Sequence, residues 1–130
     1  MLTLDNVSTG YDAADVLHGV SITARPGELT VVLGANGSGK TTLFKTISGL
    51  MRVRTGSITY EGRPLHRARA NAIVKAGIAH CPESRHLFGK MSVEKNLRLG
   101  SYPHRNGSRT EEIYSDVLDM WLFVIESVDR

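Results

Sequence analysis

Gly34-Ala35-Asn36-Gly37-Ser38-Gly39-Lys40-Thr41, followed by Thr42, decides how this 130-residue chain is read. It matches G-x-x-x-x-G-K-[ST], whose glycines let the backbone turn sharply with its N–H groups facing inward. A helix starting directly after such a turn adds the positive end of its dipole, and together they cradle phosphate oxygens. Lys40 is then placed to reach the β- and γ-phosphates of a nucleotide, and the Thr41 hydroxyl to ligate Mg²⁺. From average residue frequencies, a chance match in a chain this long is on the order of one in a few hundred. The flanks fit too: Leu29-Thr30-Val31-Val32-Leu33 predicts a strand buried on both faces, and Leu43, Phe44, Ile47 and Leu50 recur at helical spacing up to the Gly49 region. A glycine-rich turn capping a helix, with an accidental lysine, accounts for the loop but not for its context. Gly34, Ala35, Asn36, Gly37, Ser38, Gly39, Lys40, Thr41 and Thr42 are therefore the candidate nucleotide-binding residues.

Outward from this loop, Leu2, Leu4 and Val7, then Val20, Ile22 and Ala24, alternate with polar residues and predict half-buried strands. Ser57 to Tyr60 predicts a short strand before a turn at Glu61-Gly62. Ala68 to Lys75 predicts a helix ending at Gly77, and Ile78 to Cys81 a strand closed by Pro82. Ser92 fits the N-cap of a helix through Val93, Leu97 and Leu99, and Tyr102 to Ser108 reads as loop.

Composition sets the bounds. A length of 130 residues with 41% hydrophobic and 22% charged content fits one globular domain and excludes wholesale disorder. The net charge of +3 hides an asymmetry: residues 1–110 carry 15 basic and 7 acidic groups, residues 111–130 carry 1 and 6. Cys81 is the single cysteine and excludes an internal disulfide, which points to a reducing, cytoplasmic setting. The longest apolar run, Trp121 to Ile125, is far below the ~20 residues of a membrane span, so no direct membrane insertion is expected. His80, Cys81 and His86 match no zinc spacing. Arg52, Arg54, Arg63, Arg67 and Arg69 lack interleaved aromatics and read as a solvated face, not a nucleic-acid surface.

With the loop placed, Leu2 to Tyr102 resembles the N-terminal part of an ATP-binding cassette (ABC) transporter ATPase. The resemblance rests on Asn6 to Tyr11, Val16 to Ser21, Pro26-Gly27-Glu28, the phosphate loop, Leu43 to Leu50 and Gly56-Ser57-Ile58. It implies an α/β fold of the P-loop NTPase class, an antiparallel β subdomain plus the start of a parallel core sheet, incomplete in this chain. It implies ATP and Mg²⁺ as cofactors and a Tyr11 that stacks on adenine, an interaction worth ~0.5 to 1.5 kcal/mol. Cys81 to Phe88 and Met91 to Leu97 are similar to the branched-chain amino acid importer group. Glu83 stands where most ABC proteins have the glutamine of the Q-loop, which links the γ-phosphate and Mg²⁺ to the membrane partner, and Ser84 stands where a glycine is usual. A carboxylate at Glu83 is a hard oxygen ligand suited to magnesium.

The family's signature motif, its Walker B strand ending in Asp-Glu and its switch histidine have no counterpart in the sequence. Leu122 to Glu126 imitates a Walker B strand, but Ile113, Val117, Met120, Trp121, Val124 and Val128 recur at helical intervals and predict an amphipathic helix. The organisation expected is an ABC ATP-binding portion over 1–110 and a divergent acidic helical tail over 111–130, as a truncation or frameshift would produce. The function expected is the ATP-binding subunit of an importer for branched-chain amino acids, inactive alone. It would be held at the inner membrane face by permease subunits and paired with a homologous ATPase subunit. A non-catalytic nucleotide-binding fragment or decoy, a subunit for a related solute such as urea, and a basic nucleic-acid-binding module remain the alternatives.

Overall fold

The computed structural model describes residues 1–83, 87–101 and 110–128. The chain divides into two compact units, Met1–Cys81 and Pro82–Arg130.

The first unit is built on β1 (Leu2–Tyr11) and β2 (Ala14–Ala24), with β3 (Thr55–Tyr60) and β4 (Arg63–Pro64) completing an antiparallel sheet of order β2-β1-β3-β4. Leu4 sits between Ile22 and Ile58. Strict alternation from Leu4 would turn Val7 and Thr9 outward, yet both are buried. Register shifts after Leu4 toward β2 and after Asp5 toward β3, with Asn6 at φ 47°, insert the residue that restores the inward phase. Gly56, at φ 84°, lies opposite this bulge, and any Cβ there would collide with the carbonyl oxygens of Asp5 and Asn6.

One face of the sheet is covered by α1 (Lys40–Ile47) and α2 (Ala70–Lys75). Leu43 from α1 and Ile73 from α2 join Leu4, Val7, Leu17, Ile58 and Leu65 in the buried core. The helix predicted from Ala68 starts at Ala70, because Ala68 is held in a turn by its bond to the Leu65 carbonyl and Arg69 is extended. Phe44 and Leu50, predicted on the buried face of the loop's helix, are exposed, and Leu50 lies past its end.

Two predicted strands do not form. Leu29 to Leu33 pairs with nothing among the described residues, and Leu29, Val31 and Leu33 are 91%, 63% and 87% exposed. A strand buried on both faces owes its hydrogen bonds and its cover to neighbours distant in sequence; β1 to β4 supply no hydrogen-bonded neighbour, and of this run only Val32 packs against the core. Ile78 to Cys81 is likewise irregular, for the same want of a partner. The antiparallel subdomain is thus formed, while the parallel core strands are not.

In the second unit, α3 (Val93–Gly100) is capped by Ser92, whose hydroxyl accepts from the Lys95 N–H at 3.3 Å. The Asn96 side chain closes the preceding turn by accepting from Phe88 N–H (3.0 Å) and donating to the Phe88 carbonyl (3.2 Å). The acidic tail forms α4 (Thr110–Val128), so the segment that imitates a Walker B strand is helical. Arg98 bonds Glu94 (3.0 Å) and Glu111 (3.1 Å) and lies over the Tyr114 ring, tying α3 to α4. Both carboxylates hold the guanidinium more firmly protonated than usual. No described helix is long and apolar enough to cross a membrane.

Candidate functional site

The phosphate loop is organised by its own atoms. Lys40 Nζ donates to the carbonyls of Gly34 (2.7 Å) and Ala35 (2.8 Å), so the ammonium ties the end of the loop back to its beginning. A turn bond from Ser38 N–H to the Ala35 carbonyl (3.2 Å) tightens the middle. Gly39 enters α1 at φ 91°, a left-handed conformation that side chains resist. A Cβ at Gly39 would also come within 2.9 Å of Leu17, so the loop rests directly on β2.

The first bond of α1 runs from Leu43 N–H to the Gly39 carbonyl at 2.8 Å, leaving the preceding N–H groups without intrahelical partners. No side chain caps that end, and no acidic residue sits in the first turn. The positive end of α1 is therefore not neutralised by the helix's own residues, and it meets the Lys40 ammonium at the same loop. Chemically this is a compact cationic surface of backbone donors, suited to the oxygens of a phosphate group. Thr41 is exposed beside it. Thr42 is buried, and its carbonyl accepts from Thr46 Oγ1 at 2.6 Å within α1.

Tyr11 is placed by the hairpin. It ends β1, lies opposite Ala14 and is 49% exposed. From Ala14 to Leu17, the residue beneath Gly39, the chain advances by three residues of strand, about 10 Å at ~3.3 Å each. The ring and the loop thus sit on one hairpin, one at its tip and the other against its flank. Hydrogen bonds from residues distant in sequence brace that tip. Arg54 donates to Asp15 Oδ1 (2.6 Å) and to the Asp12 carbonyl, while Thr9 Oγ1 donates to the Arg52 carbonyl (2.6 Å). Read as part of a basic loop, Arg54 instead fixes the turn that carries Tyr11. A signal existed in Asp12 and Asp15, the acids at the tip of the hairpin, but nothing local matched them to an arginine 39 residues away.

Glu83 is exposed at the start of the second unit. Ser84, Arg85, His86 and the loop Tyr102 to Ser108 lie outside the described residues. His80 shares a hydrogen bond with Ser48 Oγ, which itself donates to the Phe44 carbonyl. The contact clasps the end of α1 to the segment that follows α2. Cys81 is exposed and free.

The comparisons with known proteins agree with this geometry. The family model described as ABC transporter matches residues 17–126. A high-affinity branched-chain amino acid transport ATP-binding protein of Pseudomonas aeruginosa is 41% identical over 102 residues, 78% of this chain and 44% of that protein. An arabinose import ATP-binding protein of Burkholderia cenocepacia is 36% identical over 107 residues, 82% of this chain and 21% of that protein. Among solved structures, an ATP-binding subunit of an ABC transporter superposes with a TM-score of 0.70 at 33% identity, covering 79% of this chain and 42% of that one. The chain thus spans less than half the length of these proteins. Its sheet, its phosphate loop and a family match over most of its length place it together with them: the chain belongs to the ABC transporter family.

Proposed function

We propose that this chain carries the nucleotide-binding elements of the ATP-binding subunit of an importer. The observation that supports this best is the phosphate loop, closed on itself by Lys40 and backed by an uncapped helix end. Lys40 would exchange its two loop carbonyls for β- and γ-phosphate oxygens, and the N–H groups of the loop and first turn would hold the remaining oxygens. Tyr11 would receive the adenine on its exposed face. The Thr41 hydroxyl, exposed at the start of α1, fits a magnesium ion. When bound, that ion offsets phosphate charge and fixes the geometry of the leaving group.

The role of the residues present is to bind and orient. A base that activates water typically adds 10² to 10⁴-fold, and no described residue beside the loop is a candidate for it, so turnover by this chain alone should be negligible. Partners in the proposal are permease subunits and a homologous ATPase subunit, with the chain on the cytoplasmic side of the membrane. Branched-chain amino acids are the proposed solute, on the similarity of Cys81 to Leu97 to that group.

Titration with Mg-ATP tests the reading. Lys40→Ala should weaken binding by about 10- to 150-fold, the equivalent of a charge-assisted hydrogen bond of ~1.5 to 3 kcal/mol. Unchanged affinity in a folded Lys40→Ala chain would sink it.

A further inference from the structure

A second cationic site lies in the first unit, formed by the chain that leaves α1 and by the turn that precedes α2. It is a cavity of about 450 Å³, lined among others by Arg52, His66, Arg67 and Arg69. From these residues we infer a binding pocket for a small phosphate-bearing anion, distinct from the phosphate loop.

Charge is the first argument. Between Leu29 and Pro82 the sequence holds eight Lys and Arg against one acid, Glu61. Glu61 is already taken, bonded to the Met1 ammonium at 2.8 Å. None of the residues lining the cavity is acidic. Among the described residues, no ion pair engages the guanidinium of Arg52, Arg67 or Arg69, although Arg54, two residues from Arg52, is paired with Asp15. Three unpaired guanidiniums on one concavity repel one another, and an anion relieves that repulsion.

The second argument is independent of charge. His66 Nδ1 is buried and has no hydrogen-bond partner among the described residues. A ring nitrogen withdrawn from water without a partner is unfavourable, so it marks an unmet hydrogen-bonding group in the wall of a cavity whose arginines offer phosphate oxygens bidentate bonds. A concave site of this size suits a small molecule, and no Phe, Tyr or Trp lines it as a stacking platform for nucleic-acid bases. The pocket is separate from the proposed nucleotide site, since it includes neither Lys40 nor any other residue of the loop.

Calorimetric titration of the full chain with inorganic pyrophosphate tests this, in the unsubstituted protein and in a Lys40→Ala background that disables the loop. We expect binding that survives Lys40→Ala and weakens about ten-fold or more in Arg67→Gln/Arg69→Gln and in His66→Phe, as loss of charge-assisted bonds requires. All three positions lie outside the buried core, so the variants should fold, which circular dichroism checks. A parallel arm measures co-sedimentation with phosphatidylglycerol vesicles. Vesicle binding with the same dependence on Arg67 and Arg69, exceeding that of pyrophosphate, would identify a lipid headgroup as the source of the phosphate. Pyrophosphate binding lost entirely with Lys40→Ala, or indifferent to the arginine and histidine substitutions, together with no arginine-dependent vesicle binding, would overturn the proposal.

Discussion

Leu29 to Leu33 and Gly34 to Thr42 are neighbours in sequence and behave oppositely. The apolar run has the stronger conventional signal, five apolar or β-branched residues with no breaker, yet it forms no strand and all of it but Val32 is exposed. The glycine loop has no hydrophobic pattern at all, yet it is closed by bonds from Lys40 to Gly34 and Ala35. The difference is where the hydrogen-bond partners lie. The loop finds them within six residues, whereas a parallel strand needs partners far along the chain.

The largest expected effect sharpens this contrast. Ile58→Ala removes a side chain only 1% exposed from the centre of the sheet and should cost about 2 to 5 kcal/mol in urea denaturation. Leu33→Ala, an equally apolar truncation in the unpaired run, should change stability by no more than ~0.5 kcal/mol. Comparable losses from the two would mean that the 29–33 run is packed in solution after all.

What the sequence made legible follows the same division. The strands β1 and β2, the strand through Ile58 and the Ser92 cap rest on alternation, turns and short-range bonds, and all are present. The glycine loop and the helix that follows it were legible because their signals lie in consecutive residues. The bulge at Asn6 was not, since it shows itself only when Val7 and Thr9 are both found buried against Leu4. Arg54 was missed for a related reason: its partners lie across the hairpin. The fate of 29–33 was misread because β propensity states what a segment fits, not whether a neighbour exists.

Gly39→Ala probes the loop side of the comparison. A Cβ at φ 91° would approach Leu17 to 2.9 Å, so the substitution strains the backbone and pushes the loop from β2. A loss of about 1 to 3 kcal/mol is expected, with weaker Mg-ATP binding in the chain that remains folded. If stability fell while nucleotide affinity held, the loop's seat on β2 would be structural only.

Arg54→Ala should have a smaller effect. Its pair with Asp15 is about one-third exposed on both sides, so stability should fall by only ~0 to 1 kcal/mol. Loosening the Asp12–Asp15 turn should lower ATP affinity by about two- to five-fold through Tyr11, within the range of one stacking contact. Tripolyphosphate, which has no base to stack, should bind unchanged. Equal losses for both ligands would assign Arg54 to the loop and not to the ring.

The smallest effect belongs to Glu61, whose carboxylate ties the end of β3 to the start of β1. Its hydrogen bond to the Met1 ammonium, reinforced by the charge of that group and of Arg63, holds its pKa below the ordinary carboxylate value. A carboxylate depressed in the folded state contributes stability that is complete above its unfolded pKa and disappears as pH falls through the folded one. Glu61→Gln should therefore lower stability slightly at neutral pH and flatten the acid side of the stability profile, with the two proteins converging at low pH. The pair lies on the surface, so added salt should shrink the difference as well. A difference that persisted unchanged at low pH would show that Glu61 acts through its turn, where it sits at φ 50°, and not through its charge.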